Sequence, residues 1–346
     1  MADSLLSLLS TAFSWESFGD LLKSGYDNLN LPSSDNESVI YDLIYYHASA
    51  DPLIFALRTA LFFSFCCWFM SMATGTHSWV DRLWSIAPVI YAIHFSVRDM
   101  LYWPKDEPFR YLPRVYIATA LITLWGIRLT YNFYRKGGYS LDAEDYRWPY
   151  LGTKIPFGIW FLFNIFFICL FQNSLLAAIT VPVYTAWRVT LVHQAPLNWI
   201  DALATLLFIG GLTLETLADE QQWEFQEAKR KAVAKKEVLT GDIKRGFLTQ
   251  GLFKYSRHPN FFGELTIWWS VYLFSVASGY PTYTPWINPS IVGAATLTTL
   301  FQGSTWLTEY LTSKKYPSYN LYKKTTSRLI PMPAGTSLDE LERKTQ

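Results

Sequence analysis

The run Gly251-Leu252-Phe253-Lys254-Tyr255-Ser256-Arg257-His258-Pro259-Asn260-Phe261-Phe262-Gly263-Glu264 holds a cation, an imidazole, a phenol, an amide and a carboxylate. Those groups can bind phosphate, ribose or amide, or move a proton. Pro259 fixes its own φ and disfavours helix at His258, so the chain must turn before the apolar helix that follows. The turn is expected to leave Tyr255, Arg257, His258 and Asn260 on the loop side. Glu264 is expected in the first helical turn, where a carboxylate suits the helix dipole. The same residues also read as a capped entrance to a membrane helix, with an aromatic and basic anchor at the interface.

Other polar residues recur at helical spacing. Arg128, Asn132 and Arg135 fall at i, i+4 and i+7, followed by Gly137-Gly138 and by Glu144-Asp145-Tyr146-Arg147-Trp148. Arg128 lies deep in apolar sequence, so it either snorkels to the boundary or faces a polar cavity and holds phosphate. Glu215, Asp219, Gln222 and Gln226 form a second stripe. A carboxylate as far in as Glu215 needs a partner, which Arg128 or Arg257 could supply. Asp81, in Val80-Asp81-Arg82-Leu83-Trp84, has two readings. It is an acid raised in pKa by desolvation at a membrane boundary, or it is a helix cap or a salt-bridge partner of Arg82.

Several chemistries lack their residues. No Gly-x-Gly-x-x-Gly follows a strand, and neither a Ser-His-Asp nor a His-Glu-x-x-His pattern occurs, which argues against Rossmann, hydrolase and zinc sites. Cys66, Cys67 and Cys169 sit in apolar runs without ligand spacing, so packing is expected and metal is not.

The elements that carry these residues are apolar. Of 346 residues, 51% are hydrophobic and 16% charged, against the roughly 25% charged of a soluble domain. A net charge of +1 gives no reason to expect a nucleic-acid partner. Residues 1–52 read as an acidic polar region, with a helix over 4–23, a loop over 31–38 and a glycosylation sequon at Asn36. No basic leader opens them, so insertion is expected to rely on the first span. About seven runs near the ~20 residues a bilayer requires follow, over 53–73, 85–103, 110–131, 157–180, 197–218, 262–279 and 286–308. Pro182 is expected to end or kink the fourth. Lys and Arg concentrate after the third, fifth and seventh runs. The expectation is an all-α polytopic transmembrane bundle, N-terminus lumenal and C-terminus cytosolic. Lys105, Arg110 and Arg114 run mildly against that rule. Residues 53–332 form the membrane domain and 333–346 a cytosolic tail, in which Arg343-Lys344 resembles a dibasic retrieval signal.

The Ser256–Glu264 wording resembles the C-terminal signature of the steroid 5α-reductase-like membrane proteins, in particular the DUF1295 branch. Trp125-Gly126-Ile127-Arg128-Leu129, with Asn132, Arg135, Gly137-Gly138 and Glu144–Trp148, resembles a second signature of that branch. Ala218-Asp219 and the tail from Tyr322 to Ile330-Pro331 resemble further reductase positions, so the likeness covers roughly 53–332. It implies an enzyme of the endoplasmic reticulum membrane that uses NADPH to reduce an activated C=C bond of a sterol- or polyprenoid-like lipid. NADPH would be bound by Arg128, Glu215, Asp219, Tyr255, Arg257, His258, Asn260 and Tyr322. Glu215 departs from the Asn of the steroid enzymes. Asp81 loosely matches a carboxylate in their second span and is the candidate acid, with Glu264 as the other catalytic candidate. Clan relatives with an Arg-His-Pro-x-Tyr-x-Gly variant use S-adenosylmethionine to methylate isoprenylated or phospholipid substrates. A non-catalytic lipid-binding protein on the same fold is the third class.

Overall fold

The computed structural model describes residues 51–102, 112–279 and 286–345. The helix expected over 4–23, the loop over 31–38 and the sequon at Asn36 lie outside them. Among the described residues every named element is helical, with a single bridge between Ser256 and Ser327.

Helix α1, Pro52–Thr74, starts where the Asp51 carboxylate accepts the Leu53 N–H at 2.9 Å and Pro52 needs no partner for its missing N–H. It stops at Gly75, whose φ of +73° lets its N–H return to the Ser71 carbonyl. Ala56, Ala60, Ser64, Cys67 and Ser71 are buried along one face, whereas Leu61, Phe62, Phe65, Phe69 and Met72 are exposed. Small and polar residues inward with large apolar ones outward is the pattern of a helix packed in lipid.

Two short steps follow, α2 (Trp79–Leu83) and the longer α3 (Ala87–Tyr102), then α4 (Pro113–Arg135) and α5 (Arg147–Gly152). The fourth apolar run comprises α6 (Phe157–Phe163), a π-helical stretch over Asn164–Phe171, α7 (Gln172–Ala178) and α8 (Val181–Val192). Phe163, Phe167 and Phe171 stack at 4.7 and 5.3 Å between ring centres. Pro182 lies in the first turn of α8, so the chain breaks at Ile179-Thr180 and restarts. The remainder is α9 (Trp199–Ala234), α10 (Gly241–Arg245), a 3₁₀ turn at Gly251–Lys254, α11 (Pro259–Gly279), α12 (Ile291–Lys315), α13 (Tyr319–Thr325) and α14 (Leu338–Thr345). Among the described residues three helical stretches, Pro52–Thr74, Phe157–Val192 and Trp199–Ala234, are long and apolar enough to cross a membrane.

The chain divides into two units, Met1–Ala204 with Val271–Ala294, and Thr205–Ser270 with Ala295–Gln346. In the first, α3 packs on α4, α1 on the π stretch and α7, and α8 on α3 and α4. A Cβ at Gly126 would stand 2.8 Å from the Ser85 carbonyl, so this glycine sets how closely α4 approaches. Arg114 and Asp201 form a buried two-point pair at 2.7 and 2.8 Å, and Arg114 also donates to the Pro196 carbonyl.

In the second unit α9 meets α11 backbone to backbone. A Cβ at Gly211 would lie 2.9 Å from the Gly263 carbonyl, and one at Gly263 2.8 Å from that of Gly211. Phe247, Tyr319, Tyr322 and Leu338 form an apolar cluster, so the tail beyond 333 is anchored at Leu338. Arg245 braces it by bonding Asp242 at 3.0 Å and Asp339.

Two sequence expectations are corrected. Glu264 is not in the first turn of its helix, because α11 begins at Pro259. It is buried one turn deeper and accepts the Trp268 indole N–H at 3.0 Å. Asp81 does not cap the second apolar helix, which starts at Ala87, but sits inside α2. Its neighbour Arg82 donates to the carbonyls of Ser78, Ser140 and Ala143 rather than serving as its salt-bridge partner.

Candidate functional site

Each unit carries its own cluster of chemically capable residues. In the second unit the motif loop is pinned by the chain's C-terminal part. Arg257 N–H donates to the Ser327 carbonyl at 2.8 Å, His258 N–H to that of Arg328 at 3.1 Å, and Ser256 Oγ to that of Leu329 at 2.7 Å. Gly251 enters the loop at φ +62°, a conformation open to glycine, and the Leu252 N–H then reaches Gln221 Oε1 at 2.9 Å.

Glu309 near the end of α12 is the centre of this cluster. It accepts from Arg257 Nε at 2.6 Å and Nη2 at 3.1 Å, and from His258 Nε2 at 3.1 Å. Burial pushes its carboxyl upward, but the hydrogen bonds and charges of His258 and Arg257 outweigh that and hold it at about 2. Arg257 Nη1 donates further to the carbonyls of Lys323 and Thr326. Tyr322 is buried with its hydroxyl on the Phe253 carbonyl. Glu215 and Asp219 are buried on α9, and Gly263 of the motif packs against the Glu215 backbone. Tyr255 is exposed and Asn260 half-buried in the first turn of α11.

The first unit holds Asp81 and Arg128. Around Asp81 the loop after α1 is tied to the loop after α4. His77 N–H and Nδ1 both meet Glu144 Oε1, at 2.8 and 3.1 Å, and the Asp145 N–H donates to Ser78 Oγ at 2.9 Å. The Trp160 indole N–H donates to His77 Nε2 at 3.1 Å. An indole N–H can only donate, so Nε2 carries no proton and Nδ1–H faces Glu144. Asp145 pairs with Arg147 through two 2.8 Å bonds. Burial, and then the Asp145 charge, push the Asp81 carboxyl above the usual carboxylate range, against lowering by Ser78 and Arg147.

The structure thus gathers Glu215, Asp219, Tyr255, Arg257, His258, Asn260, Glu264 and Tyr322 in one unit, and Asp81 and Arg128 in the other. Sequence reasoning missed Glu309, His77 and Trp160. Glu309 was discoverable as an acid closing an apolar run, where a charge requires a partner. The pairing of His77 with Glu144 spans 67 positions and leaves no periodic trace.

A family model described as "Protein of unknown function (DUF1295)" matches residues 67–326. A Schizosaccharomyces pombe protein described as uncharacterized is 35% identical over 300 residues, covering 85% of this chain and 84% of the relative. No solved structure matches the chain.

Proposed function

The chain belongs to the DUF1295 family, and on that premise we propose that it is a membrane-embedded, NADPH-dependent reductase of an activated C=C bond in a lipid substrate. The observation that carries this reading is Asp81, whose carboxyl is raised by burial and by Asp145. Raising a carboxyl favours its protonated form, which can donate a hydrogen bond to a substrate carbonyl and polarise the conjugated double bond. When bound, the nicotinamide supplies the hydride for the β-carbon. The chain's share is to hold the acid, orient the lipid and exclude water.

The donor set of the second unit fits a dinucleotide. Glu215 and Asp219 offer acceptors for ribose hydroxyls, Tyr255 and Asn260 offer hydrogen-bonding groups, and the exposed Lys254 offers a phosphate contact. Arg257 and His258 are engaged by Glu309, so their part in this reading is to shape the loop. Arg128 remains the phosphate candidate of the first unit. The test is retention by the purified protein in detergent. NADPH is expected to copurify or bind, and S-adenosylmethionine is not. Retention of S-adenosylmethionine would replace reduction by methyl transfer to a lipid, and retention of neither would favour a non-catalytic lipid-binding protein.

We further propose about seven spans in the endoplasmic reticulum membrane, with a lumenal N-terminus. Contacts within the first unit support the alternation. The loops after α1 and α4 bind each other through His77–Glu144 and Arg82–Ser140. Arg114, Asp201 and Asn198, the last bonded to the Ala277 carbonyl, are joined at helix ends that the alternation assigns to the opposite side. Arg114 is paired with Asp201, so its charge is not left unpaired in the apolar interior. In sealed, cytosol-out microsomes, Lys235→Cys is expected to react with an impermeant thiol reagent and Asn36→Cys to be protected. The reverse pattern would invert the topology, and absence of the protein from microsomes would remove the location.

A further inference from the structure

Buried polar atoms inside the apolar part of the first unit point to a ligand. Tyr91 on α3 and Asn173 on α7 are both fully buried at 0% exposure. The Tyr91 hydroxyl and the Asn173 Oδ1 each lack a hydrogen-bond partner. Leaving such groups unsatisfied in an apolar interior costs far more than leaving them in water.

The orientation of the Asn173 amide is fixed by chemistry. Its Nδ2 donates to the Cys169 carbonyl at 2.8 Å and approaches Cys67 Sγ at 3.7 Å. A carbonyl can only accept, so the nitrogen must face Cys169 and the oxygen must be the open atom. Helices α1, α3 and α7 pack on one another, so the Tyr91 phenol and the Asn173 amide oxygen are both buried where three apolar helices meet. The π-helical stretch Asn164–Phe171 runs directly into Asn173. Such wide turns recur at functional sites.

We propose that Tyr91 and Asn173 bind the hydroxyl group of a neutral lipid alcohol. The donor and acceptor inventory selects this group. Asn173 Oδ1 needs a donor, and the Tyr91 hydroxyl is satisfied by donating to an oxygen. An alcohol hydroxyl has both capacities, donating to an amide oxygen and accepting from a phenol. A ketone, aldehyde or ether can accept from Tyr91 but has nothing to give Asn173. An ammonium or carboxylate would bring an unpaired charge into an apolar site. The inference deepens the lipid-reductase reading by naming the polar group of the lipid.

The test is binding without cofactor, so its failure is distinguishable from failure of the reductase reading, which is judged by NADPH retention. Tritiated geranylgeraniol and cholesterol, each beside its own methyl ether, are equilibrated with the full-length protein in detergent. At least one alcohol is expected to bind roughly tenfold more tightly than its ether, the effect of one lost hydrogen bond. Tyr91→Phe keeps the ring and is expected to weaken that alcohol by a similar factor with the melting temperature retained. The ether comparison uses the unaltered protein, so it stands even where Tyr91→Phe fails to fold. Equal retention of alcohol and ether for both lipids would overturn the proposal, leaving the two groups to an internal water. Unchanged alcohol affinity in a folded Tyr91→Phe would overturn it as well.

Discussion

Replacing Asp81 by Asn is expected to cut turnover by roughly 10²–10⁴, the usual effect of losing a general acid, while NADPH retention persists. Asn matches Asp in shape, so the loss would isolate the proton. The stability consequence has the opposite sign. A carboxyl whose folded pKa is raised disfavours folding at pH above its unfolded value of 3.8, because the unfolded chain releases the proton more readily. Asp81→Asn is therefore expected to be at least as stable as the natural protein at neutral pH. Activity is expected to fall as pH rises through the raised pKa. Asp145→Asn should move that limb to lower pH, since it removes a raising charge and frees Arg147, which lowers it. A pH–rate profile of both variants, with thermal melts, reads all of this. Near-normal turnover in Asp81→Asn would exclude it as the acid and leave Glu264 or Tyr255.

Glu309→Gln is expected to destabilise the protein by about 3 kcal/mol at neutral pH. The size follows from a carboxyl held at about 2 against a reference value of 4.5, and from a buried Arg257 left without its counter-charge. Because the folded pKa is depressed, the contribution is complete above pH 4.5 and is lost as pH falls towards 2. Unfolding of the two proteins in detergent should differ most at pH 6–7 and converge on acidification (roughly at the folded pKa). Identical denaturation midpoints at neutral pH would show that the triad of Glu309, Arg257 and His258 carries no net stability. The same variant bears on the cofactor reading, since it leaves Arg257 with one bonding face uncommitted.

The apolar helices were legible because a bilayer imposes a length and a composition on each of them. The break near Pro182 was legible too, since proline constrains the backbone before any tertiary contact forms. The π stretch was not: Asn164–Phe171 reads as one more part of an apolar run, and in the structure it packs against α1. Glu215 was expected deep enough to need a partner, and it is buried; Asp219, which the sequence left open to solvent, is buried as well. The partner of Arg257 was not indicated, because Glu309 is 52 residues away and the sequence offered Glu215 at a comparable depth. Pairing between distant polar residues is set by how helices cross, and crossing geometry is carried by small residues such as Gly211 and Gly263.

That crossing also works as a fulcrum. The helix backbones come closest at Gly211 and Gly263, so relative motion of α9 and α11 is expected to pivot about that point. Distance from that point then sets displacement. Glu215 stands about 6 Å along the axis of α9, and Lys229, which holds the Gly246 carbonyl, about 27 Å, at the rise of an α-helix. One angular swing moves Glu215 about a fifth as far as Lys229. Glu215 therefore stays nearly stationary while the basic loop that ends α10 travels.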